Sequence, residues 1–172
     1  MMNWILGMVL AGVVLAEGAV ENPKGQREKA QAMQKAGNWK DALEVYRGLL
    51  TGVDDEKSGQ DLAKAVDSLN QLGQVPETDQ LVEGAVAGHP ENWRVLEQAA
   101  NNYQGGPHWG QILDGEFQRG DNQGGGTWTQ SSDRDRVRAM QLYLLALEKG
   151  GEGMKDGERA QVMERLVSAL TM

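Results

Sequence analysis

A repeated spacing of small and large residues limits what this 172-residue chain can fold into. The first copy has successive intervals of two, three, four and three residues: Gly37, Trp39, Ala42, Tyr46 and Leu49. The second copy has the same intervals: Gly73, Val75, Thr78, Val82 and Ala85. Intervals of three and four residues return to one face of an α-helix, so each copy predicts a glycine turn followed by an amphipathic helix.

A third unit follows the same pattern. Its first helix has the spacing found in the second unit: Leu62, Val66 and Leu69 correspond to Leu96, Ala100 and Tyr103. Its second helix comes late and is marked by Ala139, Tyr143 and Ala146. Tetratricopeptide repeats need small residues where paired helices cross and a large residue that fills the neighbouring hole. We therefore predict an all-α, tetratricopeptide-like solenoid over residues 26–172, with about three helical-hairpin repeats and a C-terminal helix.

Local signals place the ends of these helices. Ser58 and Asp61 have the spacing of a capping box, and Pro76 suits the first turn of the fourth helix. The last helix, from residue 156 or 157 to 170, is predicted to pack through one apolar stripe and to leave two small residues outside. The stripe comprises Ala160, Met163, Leu166 or Val167, and Leu170, and the outer residues are Val162 and Ala169.

An insertion, residues 104–131, separates the two helices of the third unit. It contains two of the five tryptophans and the only phenylalanine, so we expect it to be ordered. The spacing of its apolar residues predicts one short helix, packed on the third repeat. We expect that contact to be made through Trp109, Ile112, Phe117 or Trp128.

The N-terminus has the pattern of a targeting segment. Residues 4–16 are an unbroken apolar and glycine run, too short to span a bilayer but typical of a signal-peptide core. Val14 and Ala16 provide small residues for cleavage. No Lys or Arg precedes the run, so a buried first helix is the alternative. We predict a signal peptide over 1–19, a polar linker over 20–25, and export to the periplasm or cell envelope.

Composition excludes several classes of function. The net charge of −8 repels phosphate backbones, so we predict no nucleic-acid partner. The mean hydropathy of −0.54 predicts no membrane contact beyond the signal peptide. Cysteine is absent, which excludes a thiol nucleophile and a disulfide framework. The glycine run at 124–126 lacks the lysine of a phosphate-binding loop, and no cofactor is predicted.

His108 is the strongest candidate for chemistry. Glu116 and Asp121 lie close to it in sequence, and a histidine with two carboxylates can hold a metal or act as a general base. The alternative is that Arg119 pairs with Glu116 or Asp114 and fixes the insertion to the helices. The arginines at 134, 136 and 138 alternate with aspartates at 133 and 135, which predicts a solvated, ion-paired helix start.

The sequence also resembles a known family. Residues 36–148 are similar to the N-terminal region of large bacterial alpha-2-macroglobulin-like proteins, and the insertion carries the most specific part of the resemblance. The matching segments are 92–96, 99–100, Tyr103, His108, 115–120, 124–126 and 133–139. Members of that family are exported envelope proteins that trap proteases through a bait region and, often, a cysteine-containing thioester. This chain has no cysteine, so the resemblance implies a helical module and assigns protease trapping to none of its residues.

These observations predict a non-catalytic protein-interaction scaffold of the cell envelope. Its partner is expected to be a protein or further domains of a longer chain. The candidate interaction residues are Trp93, His108, Trp109, Glu116, Phe117, Arg119 and Trp128. The alternative is a small metal-dependent enzyme with its site on the 104–131 insertion.

Overall fold

A computed structural model describes residues 20–121 and 125–171. Within these ranges the chain forms seven α-helices, two 3-10 turns and one small sheet. The helices are α1 Pro23–Lys35, α2 Trp39–Gly52, α3 Ser58–Gln71, α4 Thr78–Gly88, α5 Trp93–Gly105, α6 Ser132–Gly150 and α7 Asp156–Thr171. The strands are β1 Trp109–Leu113, β2 Glu116–Arg119 and β3 Thr127–Gln130, and the 3-10 turns are Val75–Glu77 and Gly151–Gly153. The predicted helical class is confirmed.

Two expectations concern the N-terminal end. The predicted signal peptide, 1–19, lies outside the described residues. The predicted linker at 20–25 is wrong in its second half, because α1 begins at Pro23, where a missing N–H costs no helical hydrogen bond. The side chain of Asn22 accepts a hydrogen bond from the Gly25 N–H at 3.1 Å and caps the helix. In the described part of the chain, every helix is too short or too polar to cross a bilayer.

The helices pack as successive neighbours around one apolar core. Contacts join α1 to α2, α2 to α3, α3 to α5, and α6 to α7. The most extensive contact joins α5 to α6, although the insertion separates these helices in sequence. Helices distant in sequence therefore form one hairpin, as the third repeat unit predicts.

The repeated spacing corresponds to equivalent positions in the fold. Gly37 and Gly73 both follow a helix in the left-handed region, with φ of 79° and 70°, where residues with a Cβ are strained. Both copies bury the residues at the helix-crossing positions: Ala42, Tyr46 and Leu49 in the first copy, and Thr78, Val82 and Ala85 in the second. The repeated spacing therefore predicted these buried positions correctly.

The predicted capping box at the start of α3 is wrong. The Ser58 hydroxyl accepts a hydrogen bond from the Asp55 N–H at 2.9 Å rather than from an amide of α3. The Asp61 carboxylate is buried and binds the guanidinium of Arg27 at 2.7 Å. The Asp61 carboxylate therefore forms a long-range ion pair with Arg27 instead of capping α3.

The predicted orientation of α7 is also wrong. Val162 and Ala169 are buried, whereas Met163, Val167 and Leu170 are 53%, 57% and 59% exposed. The inward residues at 162, 166 and 169 have the spacing of Leu62, Val66 and Leu69 in α3, so α7 follows the repeat register. Val162 and Ala169 belong to the same buried core as Ala139 and Ala146 of α6, the helix that α7 contacts.

The insertion forms a sheet rather than the predicted helix. The strand order is β2-β1-β3, and both pairings are antiparallel. β1 and β2 are joined by Asp114 and Gly115, which have φ of 51° and 87°. Two residues with positive φ make the tight turn that matches the twist of a hairpin. The Asp-Gly pair between two short segments is the sequence signal for this hairpin. The helix-like spacing of the apolar residues in the same segment led to the wrong prediction.

Candidate functional site

Arg119 anchors the sheet to the helices. Its side chain is 2% exposed, and all five of its N–H groups have acceptors. Nε donates to Asp79 Oδ1 at 2.6 Å, while Nη1 and Nη2 donate to the two Asp135 carboxylate oxygens at 2.8 Å each. The remaining hydrogens bind the Pro107 carbonyl and Asp79 Oδ2. The predicted pairing with Glu116 or Asp114 is wrong, because the partners lie on α4 and α6.

Asp135 lies at the centre of this anchor. It belongs to the first turn of α6, is fully buried, and also accepts hydrogen bonds from the Ser131 hydroxyl at 2.7 Å and from Arg134 Nη2 at 2.8 Å. Burial by itself would raise the pKa of the Asp135 carboxyl. Hydrogen bonds from Arg119, Arg134, Ser131 and His108 outweigh that effect and hold the pKa well below its usual range. The prediction of a solvated helix start is therefore wrong at this residue.

Charges within the anchor balance. Arg119 and Arg134 face Asp79 and Asp135, and Arg134 Nη2 binds Asp79 Oδ2 at 2.6 Å. The two cations and two anions leave no net charge, and the guanidinium of Arg119 has no hydrogen left for an added anion. This cluster is consequently suited to holding the sheet in place rather than to binding a charged substrate.

Aromatic rings pack on the same cations. The Arg134 guanidinium lies 4.1 Å from the Phe117 ring centre, and Arg119 lies 5.7 Å from the rings of both Phe117 and Tyr103. The Tyr103 hydroxyl donates to Glu83 at 2.8 Å, and burial together with this acceptor raises the pKa of the phenol. Among the predicted contacts of the insertion, Phe117 therefore packs directly on the cations of the anchor.

His108 has partners at both ring nitrogens. Nδ1 lies 3.1 Å from Asp135 Oδ2, and Nε2 lies 3.2 Å from the Gln104 carbonyl oxygen. The partner carboxylate is therefore Asp135, whereas sequence proximity had indicated Glu116 and Asp121. Glu116 is exposed at the start of β2. Residues 20–121 and 125–171 contain no group of three His, Asp or Glu side chains placed to hold a metal ion.

Two tryptophans form an exposed aromatic pair on the sheet. Trp109 is 42% exposed and Trp128 is 58% exposed, and their ring centres lie 5.3 Å apart with a tilt of 36°. Trp128 is the cross-strand partner of Gln111, which places it on the same face of the sheet as Trp109. Among the four residues predicted as alternatives for contact with the helices, these two are largely exposed. Their rings are presented to solvent by a sheet that other residues hold.

Trp93, the remaining candidate, has a structural environment. It is buried at the start of α5, and the guanidinium of Arg94 stacks 4.1 Å above its ring. Arg94 also binds Glu158 of α7 at 3.2 Å. Trp93 therefore contributes to the packing of α5 and lies apart from the insertion.

A small cleft lies beneath the insertion, where the ends of α3, α4 and α5 meet. Its volume is about 190 Å³, and Arg119 and Tyr103 line it. Two buried polar atoms in its wall, Thr78 Oγ1 and Asn102 Nδ2, have no hydrogen-bond partner among the described residues. The cleft thus offers a hydroxyl and an amide donor to water or to a small polar group.

The residues that sequence analysis missed are Asp79 and Asp135. Both lie in the first turns of helices, where an aspartate is ordinarily explained by the helix dipole. No spacing rule connects residue 79 with residue 119, since the contact depends on how the sheet returns to α4.

A scan against protein-family models finds no model that matches this chain, and no curated protein matches it either.

Proposed function

We propose that this chain is a non-catalytic protein-interaction scaffold of the cell envelope, in which the helical array holds the insertion sheet as a recognition surface. The observation that carries the proposal is the exposed Trp109–Trp128 pair on a sheet fixed by Arg119. Tryptophan is enriched in the central contacts of protein interfaces, and a surface held rigid before binding loses little conformational entropy. The resemblance of residues 36–148 to alpha-2-macroglobulin-like proteins supports an exported N-terminal module as its setting.

A second apolar surface favours the same class of function. Met163, Val167 and Leu170 are spaced by four and three residues and form an exposed stripe on α7. The equivalent residues of α5, at positions 97, 101 and 104, contact α6 and α7. The stripe therefore corresponds to a face that helices cover elsewhere in the array. An adjoining domain or a partner helix is its expected occupant in an alpha-2-macroglobulin-like protein.

Quantitative capture from an envelope extract tests the proposal. The immobilised wild-type chain should retain a protein that the double variant Trp109→Ser, Trp128→Ser loses. Val137→Ser is the matched control, because Val137 is 45% exposed on α6, outside the sheet. Equal capture by all three proteins would contradict the proposal. Circular dichroism confirms that the variants keep their helical content.

Export is tested separately by mass spectrometry of the periplasmic fraction. We expect the mature chain to begin between residues 17 and 20, because the apolar run ends there. Periplasmic protein that retains Met1 would contradict the proposed signal peptide.

A further inference from the structure

The two edge strands of the sheet differ in protection. β2 contains the charged residues Glu116 and Arg119, and Gly120 after it lies against Val75 of the turn before α4. β3 contains neither a charged residue nor a proline, and Thr127, Trp128 and Gln130 are exposed. Proteins ordinarily protect edge strands with lysine, proline, a bulge or a covering element. β3 has none of these among the described residues.

The register shows which backbone groups of β3 are available. The Ser131 N–H donates to the His108 carbonyl at 2.9 Å, which marks that pair as hydrogen-bonded. In an antiparallel ladder successive residues face the partner strand and the outside in turn. Thr129 and Thr127 therefore face β1, and the N–H and C=O groups of Trp128 and Gln130 face outward. No described residue makes a hydrogen bond to these outward groups.

The side chains beside this edge suit an extended segment. A strand added along β3 places every second side chain on the face that carries Trp109 and Trp128. The two tilted rings offer an apolar contact for one of those side chains. Because β3 carries no charge, the contact favours an uncharged sequence with an aliphatic residue, proline or aromatic residue at that position.

We propose that β3 accepts an extended peptide segment of a partner protein as a fourth strand of the sheet. The backbone N–H and C=O groups of Trp128 and Gln130 bind the peptide main chain, and the Trp109–Trp128 pair contacts one apolar side chain of the peptide. This inference rests on the proposed function and adds the conformation and chemistry of the bound segment.

A random dodecapeptide library displayed on phage, selected against the full chain, provides the probe. Selected peptides are labelled with fluorescein, and their dissociation constants are measured by fluorescence polarisation. Gln130→Pro removes one outward N–H, a change that edge strands tolerate, and Gln130→Thr is the matched control that keeps it. We expect Gln130→Pro to weaken binding by about tenfold and Gln130→Thr to change it by less than about threefold.

Hydrogen exchange of the wild-type chain supplies a second readout that needs no variant. Bound peptide should slow exchange of the Trp128 and Gln130 amides, which face outward in the free protein. Peptides that bind Gln130→Pro and wild type equally, without protecting these amides, would overturn strand addition and leave the tryptophan surface as the interaction site. If no peptide is selected but capture from the envelope extract still depends on the tryptophans, peptide binding by β3 would be overturned and the proposed function would stand. Self-association abolished by Gln130→Pro would identify a second copy as the occupant and also overturn the proposal.

Discussion

Two arginines in different regions of the molecule make nearly the same contacts with opposite consequences. Arg27 on α1 binds Asp55 and Asp61, as Arg119 on β2 binds Asp79 and Asp135. Yet the pKa of the Asp61 carboxyl is raised, because the effect of burial outweighs the hydrogen bonds and attraction from Arg27. Repulsion from Asp55 raises it further. The pKa of Asp135 is lowered.

The difference lies in the number of donors that surround each carboxylate. Asp61 receives hydrogen bonds from the side chain of Arg27 alone, whereas Asp135 receives them from two guanidiniums, a hydroxyl and an imidazole. A buried carboxylate is stable in its ionised form only when donors replace the water it has lost. We therefore expect the insertion to depend on its ion pairs more than the first helices do.

The largest expected effect comes from removing the central arginine. Arg119→Met leaves Asp135 buried with fewer donors and should lower the free energy of unfolding by about 3–5 kcal/mol. Arg27→Met should cost less, about 1–3 kcal/mol, because Asp61, whose pKa is already raised, can take up a proton and water can solvate the partly exposed Asp55. Urea denaturation gives both values. Limited proteolysis should show cleavage within 104–131 only for Arg119→Met. Equal losses of free energy of unfolding in the two variants would contradict the proposed difference between the two arginines.

The opposite pKa shifts predict opposite responses to acid. The folded-state pKa of Asp135 is lowered. Its contribution to the free energy of unfolding is therefore present above the unfolded-state pKa of about 3.9 and is lost as the pH falls. The folded-state pKa of Asp61 is raised, so protonation in the same range relieves a cost. Between about pH 6 and pH 3, Asp135→Asn should lose less stability than wild type, and Asp61→Asn should lose more.

Urea titrations at several pH values measure how the free energy of unfolding changes with pH. Over the full span between the unfolded-state and folded-state pKa, each unit of difference contributes about 1.4 kcal/mol. Parallel slopes for the two variants would show that the carboxylates have equivalent environments. That result would contradict the comparison even if both variants were destabilised.

The smallest expected effect concerns the exposed aromatic pair. Trp109→Ala should lower the free energy of unfolding by less than about 1 kcal/mol, because Trp109 is 42% exposed and its ring stacks on Trp128, which is also exposed. Trp93→Ala, at a buried position, is the matched control and should cost about 3–5 kcal/mol. A large loss of stability for Trp109→Ala, or cleavage of the insertion, would show that the aromatics rather than Arg119 hold the sheet.

Much of the helical array could be predicted because its signal is local. Ala42, Tyr46 and Leu49 are buried as their spacing indicates, and α6 begins where its acidic first turn predicts. The orientation of α7 could not be predicted from apolar content, since Met163, Val167 and Leu170 form the stronger stripe. Agreement with the register of Leu62, Val66 and Leu69 identifies the buried face instead.

The candidate site was predicted less well. His108, Arg119 and the tryptophans of the insertion are recognisable from the sequence, but proximity along the chain indicates the wrong partners for His108 and Arg119. Asp79 and Asp135 lie 40 and 16 residues from Arg119 in sequence. Charged side chains can pair with any opposite charge that the fold brings close, so spacing carries little information about them.

Residues close together along the chain specify the helices, the buried positions at Ala42, Tyr46 and Leu49, and the glycine turns at Gly37 and Gly73. These features follow from backbone preferences and from apolar periodicity within single helices. Three other features could be seen only in the folded chain: Arg119 binds Asp135, Trp109 and Trp128 are exposed together, and β3 is the unprotected edge. Each of these depends on the strand order and on the position of the sheet against α4 and α6, which long-range packing fixes.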